Sequence, residues 1–290
     1  MINIVETAHA KVNLTLRVHG RRGDGYHEIE SLVAFAAIGD RLTLRRAATA
    51  EPALTVTGPF AGAIVGDNLV ARAMQLVASD IGQPLPVDVE LEKLLPVASG
   101  IGGGSADAAA LLRAVRSAFP ESAAHIDWMT LARQLGADVS VCFLNQPALM
   151  TGTGEHLTPV ALPRLDIVLA NSLAPVPADK TRRVFAALAA APVGQLPKPS
   201  PPELPDRDSI IALVRGHGND LERAAISVLP AIAEVKSAVA ASTRCRHALL
   251  SGAGPTIAGL YDSASDAMNA AIALEATHPA WWVRATSIGG

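Results

Sequence analysis

Four of the five residues from Gly100 to Gly104 are glycine, and the alanine-rich run Ser105-Ala106-Asp107-Ala108-Ala109-Ala110-Leu111-Leu112 follows at once. Glycine frees the backbone and alanine favours helix, so this stretch reads as a loop running into a helix. Upstream, Val87, Val89 and Leu91 alternate with polar residues, the period of a short strand leading into the loop. A backbone without Cβ atoms can turn its N–H groups inward, and a helix start adds unpaired donors and partial positive charge. An anion such as phosphate is the natural occupant. Two common phosphate loops do not fit: no lysine follows the glycines as in a Walker A loop, and Ser105 stands at the third glycine of the dinucleotide fingerprint. The alternative is structural, a turn whose Ser105 caps the helix.

The chain has 290 residues, half of them hydrophobic and 18% charged, which suits a folded protein of one large or two ordinary domains. A net charge of -3 argues against a nucleic-acid partner, and the clusters Arg21-Arg22 and Arg45-Arg46 suit at most a small anion. Residues 1–6 lack a basic stretch followed by an apolar one, and the apolar run Val184–Val193, interrupted by Pro192, is far shorter than the roughly 20 residues that span a bilayer. The expectation is a soluble, cytoplasmic protein with no membrane partner. Cys142 and Cys245 share no metal or redox spacing and read as buried thiols of a reducing compartment. Neither His-Glu-x-x-His nor Gly-x-Ser-x-Gly occurs, so protein-ligated zinc and serine hydrolysis lose ground. Without a secretory signal, Asn13-Leu14-Thr15 is no glycosylation acceptor.

The fold class is α+β. Ala10–Val18 alternates as a half-buried strand that turns Lys11 and Asn13 away from the apolar side, and a glycine-rich turn, His19–His27, follows. Strands are expected over Ile29–Ala37 and Arg41–Arg45, then a helix from Asn68 to about Ser79 capped by Asp67. The glycine-loop helix should stop before Pro120. Asp127 caps a helix through Leu135 that Gly136 ends, and Ala137-Asp138-Val139 leaves that cap; a carboxylate among these small and apolar neighbours is a cap or a buried functional group. A turn at Thr151–Gly154 and a strand over Leu165–Ala170 follow, and six prolines from Pro192 to Pro205 make a connector. The domain boundary is placed near residue 160, with a new strand and helix series ending in Trp281–Ser287.

Read singly, the remaining candidates are weak. Tyr26-His27 is either a planar-ligand contact or a loop anchor, and Ser251-Gly252-Ala253-Gly254-Pro255-Thr256 is by itself a tight turn. Their order is more specific. Lys11 with Asn13, Asp24-Gly25-Tyr26-His27, Pro96 to Ala106, Gly136-Ala137-Asp138-Val139, Gly152-Thr153-Gly154-Glu155 and Ser251 to Gly254 together resemble the GHMP kinase superfamily over positions from about 8 to 262. Within it, they resemble the branch that phosphorylates the 2-hydroxyl of a cytidyl-linked methylerythritol on a route to isoprenoid precursors.

The resemblance implies a two-domain GHMP kinase architecture. Residues 1–160 would form an ATP-binding domain similar to ribosomal protein S5 and residues 161–290 a ferredoxin-like domain, with the active site between them. It implies ATP and Mg²⁺ as cofactors, a small-molecule cytidyl substrate as partner, and a monomer or homodimer. Asp138 becomes the general base and Lys11 its electrostatic partner. Lys93, Pro96, Val97, Ala98, Ser99, Gly100, Ile101, Gly102, Gly103, Gly104, Ser105 and Ala106 become the nucleotide site, with Ser105 as the metal ligand the loop offers. Asn13 lies beside the substrate, and Tyr26, His27 and Phe185 bind its cytosine end. For Lys93 the alternative is a solvated charge. The chain departs from the pattern at Ala98-Ser99, where relatives are richer in glycine, at Ala106 and Ala253, often serine, and at Val176-Pro177-Ala178-Asp179-Lys180-Thr181, where the pattern is shorter. Another GHMP small-molecule kinase, for homoserine or mevalonate, and a nucleotide-binding regulator without turnover are the competing readings.

Overall fold

The computed structural model describes residues 2–47, 52–64, 66, 68–121, 124–196 and 198–290. The chain packs into two compact units, one of residues 1–10, 38–97 and 102–145, the other of residues 11–37, 98–101 and 146–290.

In the first unit, β1 (Asn3–Asn13) contributes its N-terminal part and β3 (His27–Arg46) its C-terminal part, and the two strands pair. β4 (Leu54–Thr57) runs parallel to β5 (Val87–Glu92), which is antiparallel to β3 with Arg41 opposite Glu92. The alternation read in β5 is real: Val87, Val89 and Leu91 are buried. Helices α1 (Leu69–Ile81), α3 (Trp128–Leu135) and α4 (Ala137–Leu144) all pack against α2 (Gly103–Ala118). Every side chain from Ala106 to Leu112 is buried there, since small alanines let neighbouring helices approach closely.

The second unit is built on β8 (Leu165–Asn171), buried along its whole length and flanked antiparallel by β10 (Ile257–Tyr261) and β11 (Trp282–Ile288). β9 (His247–Leu250) extends this sheet from β10, and α8 (Ala231–Ala241) and α9 (Ala264–Thr277) pack on it. β2 (Arg17–Arg21) and β6 (Ala148–Gly152) pair with the N-terminal half of β3, and β7 (His156–Pro159) closes a hairpin with β6 across the expected turn. Helix α5 (Lys180–Leu188) packs against α7 (Glu222–Val228), and α6 (Arg207–His217) follows the proline-rich connector, whose described residues carry no helix or strand.

Several expectations change. The strand expected over Ala10–Val18 is two strands, with Leu14–Leu16 between them. Lys11 and Asn13 are each only 4% exposed, although the alternation assigned this side of the strand to solvent: the Asn13 amide donates to Ser31 on β3 and the Lys11 N–H to Ile101 O. Conversely, the two strands expected around Gly39 are one, β3. A Cβ at Gly39 would collide with the carbonyl of Ala8, so the glycine permits a close backbone approach inside the strand. Asp67 lies outside the described residues, and α1 is capped by Asn68, whose side chain accepts from the N–H of Val70 at 2.8 Å. Asp127 caps α3 as expected. Ala137-Asp138-Val139 is not an exit from that helix but the first turn of α4, with Gly136 serving both helix ends. Cys142 is buried and Cys245 half-buried, neither in a disulfide. Among the described residues no helix is long and apolar enough to cross a membrane.

Candidate active site

Gly102 is the N-cap of α2, at φ +68°, a conformation that suits glycine. It has no side chain to cap with, and Ser105 sits inside the helix at its third position, so Ser105 is not the cap. The N–H groups of Gly103, Gly104 and Ser105 therefore keep the orphan character of a first turn, and Ser105 itself is half-buried. That donor set is suited to an anion.

A buried ion cluster stands behind this helix start. Lys93, next after β5, is 3% exposed and not a solvated charge. Its ammonium donates to Asp40 Oδ2 and, at 2.6 Å, to Asp107 Oδ2, while Asp40 Oδ1 accepts from the N–H groups of Leu94 (2.6 Å) and Leu95 (2.7 Å). Burial opposes the charge on Lys93, but Asp107 and Asp40 outweigh it and its pKa lies above the ordinary lysine value. One ammonium cannot neutralise two carboxylates: burial and the charge of Asp40 push Asp107 up to about 8 despite Lys93. Asp107 Oδ1 is buried without a hydrogen-bond partner. Sequence reading missed Asp40 and Asp107; the signal was an aspartate inside an alanine run with no polar neighbour on its face. Asp138, in the same unit, is half-buried in the first turn of α4, where the helix dipole favours its negative charge.

In the second unit, residues 98–101 nest against the loop 251–256. Gly100, at φ +80°, lies so close that a Cβ would stand 2.6 Å from the Gly254 carbonyl oxygen. Thr256 N–H donates to Ser99 O (3.0 Å), Ser251 Oγ donates to Gly100 O (3.0 Å), and Lys11 N–H donates to Ile101 O (2.9 Å). Lys180, the first residue of α5, reaches the same place, donating to Ala98 O at 3.3 Å and to Gly254 O. The 251–256 segment is thus no ordinary turn, and Lys180 was not foreseen.

Asn13 is fixed by a directed chain. Ser31 Oγ donates to Thr15 O (2.6 Å), so its lone pair receives Asn13 Nδ2 (2.8 Å), and Asn13 Oδ1 is the end left buried without a partner. An acceptor in that state is suited to a ligand hydroxyl.

The structure brings three further predicted residues together. A pocket of about 600 Å³ is lined by Tyr26, His27 and Phe185, with Arg21, Thr153 and Arg182 around them. The rings of His27 and Phe185 are 4.6 Å apart, tilted by 31°, and Tyr26 is 66% exposed. Burial, then the charge of Arg21, lowers the His27 pKa, so the imidazole is neutral at pH 7 and carries both a donor and an acceptor. Asn13 does not line this pocket.

A strand and a glycine-led helix with uncapped first-turn donors in one unit, and an aromatic pocket in the other, suit a protein that binds a phosphate-bearing and a planar ligand. Residues 68–152 match the family "GHMP kinases N terminal domain" and residues 203–280 match "GHMP kinases C terminal". A curated protein of Parvibaculum lavamentivorans, named 4-diphosphocytidyl-2-C-methyl-D-erythritol kinase, is 46% identical over 99% of both chains. The crystal structure of a 4-(cytidine 5'-diphospho)-2C-methyl-D-erythritol kinase superposes with a TM-score of 0.78 at 36% identity, covering 99% of this chain and 100% of that one. A homoserine kinase from Cytophaga hutchinsonii, at a TM-score of 0.66 and 18% identity over 100% of this chain and 96% of that one, shares the fold. The chain belongs to the GHMP kinases and, among them, to the 4-diphosphocytidyl-2-C-methyl-D-erythritol kinases. It is a small-molecule phosphotransferase that uses ATP.

Proposed function

We propose that this protein transfers the γ-phosphoryl group of ATP to the 2-hydroxyl of 4-diphosphocytidyl-2-C-methyl-D-erythritol. The observation that carries the choice of acceptor is the pocket of Tyr26, His27 and Phe185. It offers a pyrimidine the exposed ring of Tyr26, the packed rings of His27 and Phe185 and a neutral imidazole, features a small aliphatic alcohol would not use.

The reaction needs alignment and charge neutralisation more than covalent help from the protein. The glycine loop and the start of α2 receive the ATP phosphates on backbone N–H groups. The Asn13 Oδ1 acceptor, otherwise unmatched, is suited to a hydroxyl of the substrate. Asp138 takes the proton of the 2-hydroxyl as that oxygen attacks the γ-phosphorus, the bridging P–O bond breaks, and ADP leaves. Lys11, whose side chain is buried, is the electrostatic partner that offsets charge on the transferring group. The half-buried hydroxyl of Ser105 fits Mg²⁺, a hard cation that accepts one such oxygen alongside phosphate oxygens and water. When bound, Mg²⁺ supplies neutralisation of the phosphate charge. Lys93, engaged by two carboxylates, supports the helix start from behind and holds its charge inside the fold.

The test is product identity. Purified protein with ATP and Mg²⁺ should convert the cytidyl methylerythritol substrate to its 2-phosphate and leave homoserine and mevalonate unchanged. Phosphorylation of either of those in preference to the cytidyl alcohol would remove this assignment.

A further inference from the structure

Lys180 is an ammonium in an unfavourable place. It is 5% exposed and sits in the first turn of α5, where the helix dipole repels a cation. Its hydrogen bonds go to two backbone carbonyls, Ala98 O and Gly254 O, leaving a third N–H over. Among the described residues, no carboxylate forms an ion pair with it. Asp179 beside it pairs with Arg182 and Arg183 on the outer face of the helix, and Glu222 on the packed α7 pairs with Lys236. Neither loop that Lys180 touches, residues 97–101 or 251–256, contains a titratable side chain. Burial is the sole cause that moves its pKa, lowering it to about 8.

A tie between two carbonyls does not require a charge; a neutral amide donor would make it without the desolvation cost of a lone cation. What a charge adds is a field. The loop so held is the one that runs into α2, and Ala98 within it takes φ +55°, a strained value for a residue with a Cβ. Turning the Ala98 and Gly254 carbonyls onto an ammonium also keeps their negative ends away from an incoming anion.

We propose that Lys180 is a positioning residue for the nucleotide: its buried ammonium clamps the glycine-rich loop to the 251–256 loop and gives that loop the positive charge a polyphosphate neutralises. This rests on the reading of the loop as the ATP site. The test compares the wild type with Lys180→Met and Lys180→Arg by ATP and ADP binding, steady-state kinetics and thermal unfolding without ligand. Lys180→Met should weaken ATP and ADP by about 10- to 100-fold, the scale of one charge-assisted contact, with the KM of the cytidyl substrate within about twofold of the wild type. Its ligand-free Tm should be no lower, because an uncompensated buried charge has gone. Lys180→Arg, which keeps the charge, should recover part of the loss. Nucleotide affinity in Lys180→Met within about twofold of the wild type overturns the proposal. So does a loss shared equally by ATP and the cytidyl substrate with a fallen Tm, the signature of a structural tie. If the wild type itself binds neither ATP nor ADP, the nucleotide reading of the loop fails and the proposal with it; normal wild-type binding with an unaffected variant sinks only the role of Lys180.

Discussion

Asp138 and Tyr26 separate the two halves of the proposed chemistry. Asp138→Asn keeps the shape of the side chain and removes its basicity, so kcat should fall by about 10² to 10⁴ with ATP affinity near normal. A rapid-quench measurement of the chemical step checks this, and substantial retained turnover would remove Asp138 as the base. Tyr26→Ala takes away an exposed ring from a pocket that His27 and Phe185 still line. A stacked aromatic contributes on the order of 0.5–1.5 kcal/mol, so the Kd of the cytidyl substrate should rise roughly 2- to 13-fold with ATP binding spared. Calorimetric titration with each ligand distinguishes the two effects. At this scale the sequence was informative about residue types but not about exposure. Lys11 and Asn13 looked solvent-facing because alternation reports which side packs on the apolar core, not whether a distant part of the chain covers the other side.

Helix α2 and strand β5 meet through Lys93, Asp40 and Asp107. Lys93→Met leaves the Asp40 carboxylate and the Asp107 carboxyl buried without their cation, and removal of one member of a buried ion group typically costs about 3–5 kcal/mol. A fall of several degrees in Tm at pH 7 is therefore expected, and an unchanged Tm would show that the cluster does not anchor the helix. The strand, loop and helix around this point were legible from local signals: the period of two in Val87, Val89 and Leu91, the glycines, and alanines ending before Pro120. Asp127 and Gly136 marked the ends of α3 in the same way. Elements were misread where the deciding contact is remote. The strands over Ile29–Ala37 and Arg41–Arg45 look separate until Ala8 is placed against Gly39 between them, and the 251–256 loop resembles a turn until Gly100 is nested into it. The third member of the ion cluster, Asp40, lies 53 residues from Lys93, a separation that no periodicity reports.

For the whole molecule, stability against pH carries the signature of Lys180. Its folded pKa of about 8 lies below the unfolded lysine value, so between these two pH values the unfolded chain binds more protons and stability rises with pH. The destabilising contribution is fully present below about pH 8 and fades toward pH 10. Other groups titrate in this range, so the measured quantity is a difference: the Tm gap between Lys180→Met and the wild type should be widest near pH 7 and shrink as the pH rises. A gap that widens toward alkaline pH contradicts this sign.

The connector between α5 and α6 has a different consequence. Residues 198–203 are exposed or half-buried and carry no helix or strand, yet β8 before them is bonded on both sides by strands that come after them, β10 and β11. A break in the connector would cut the polypeptide without cutting the sheet. The two pieces should remain associated after specific cleavage at an introduced protease site near Ser200, co-eluting on a sizing column and still turning over. Such a nicked protein would offer a ready route to a split enzyme, its halves supplied separately and activity recovered by mixing.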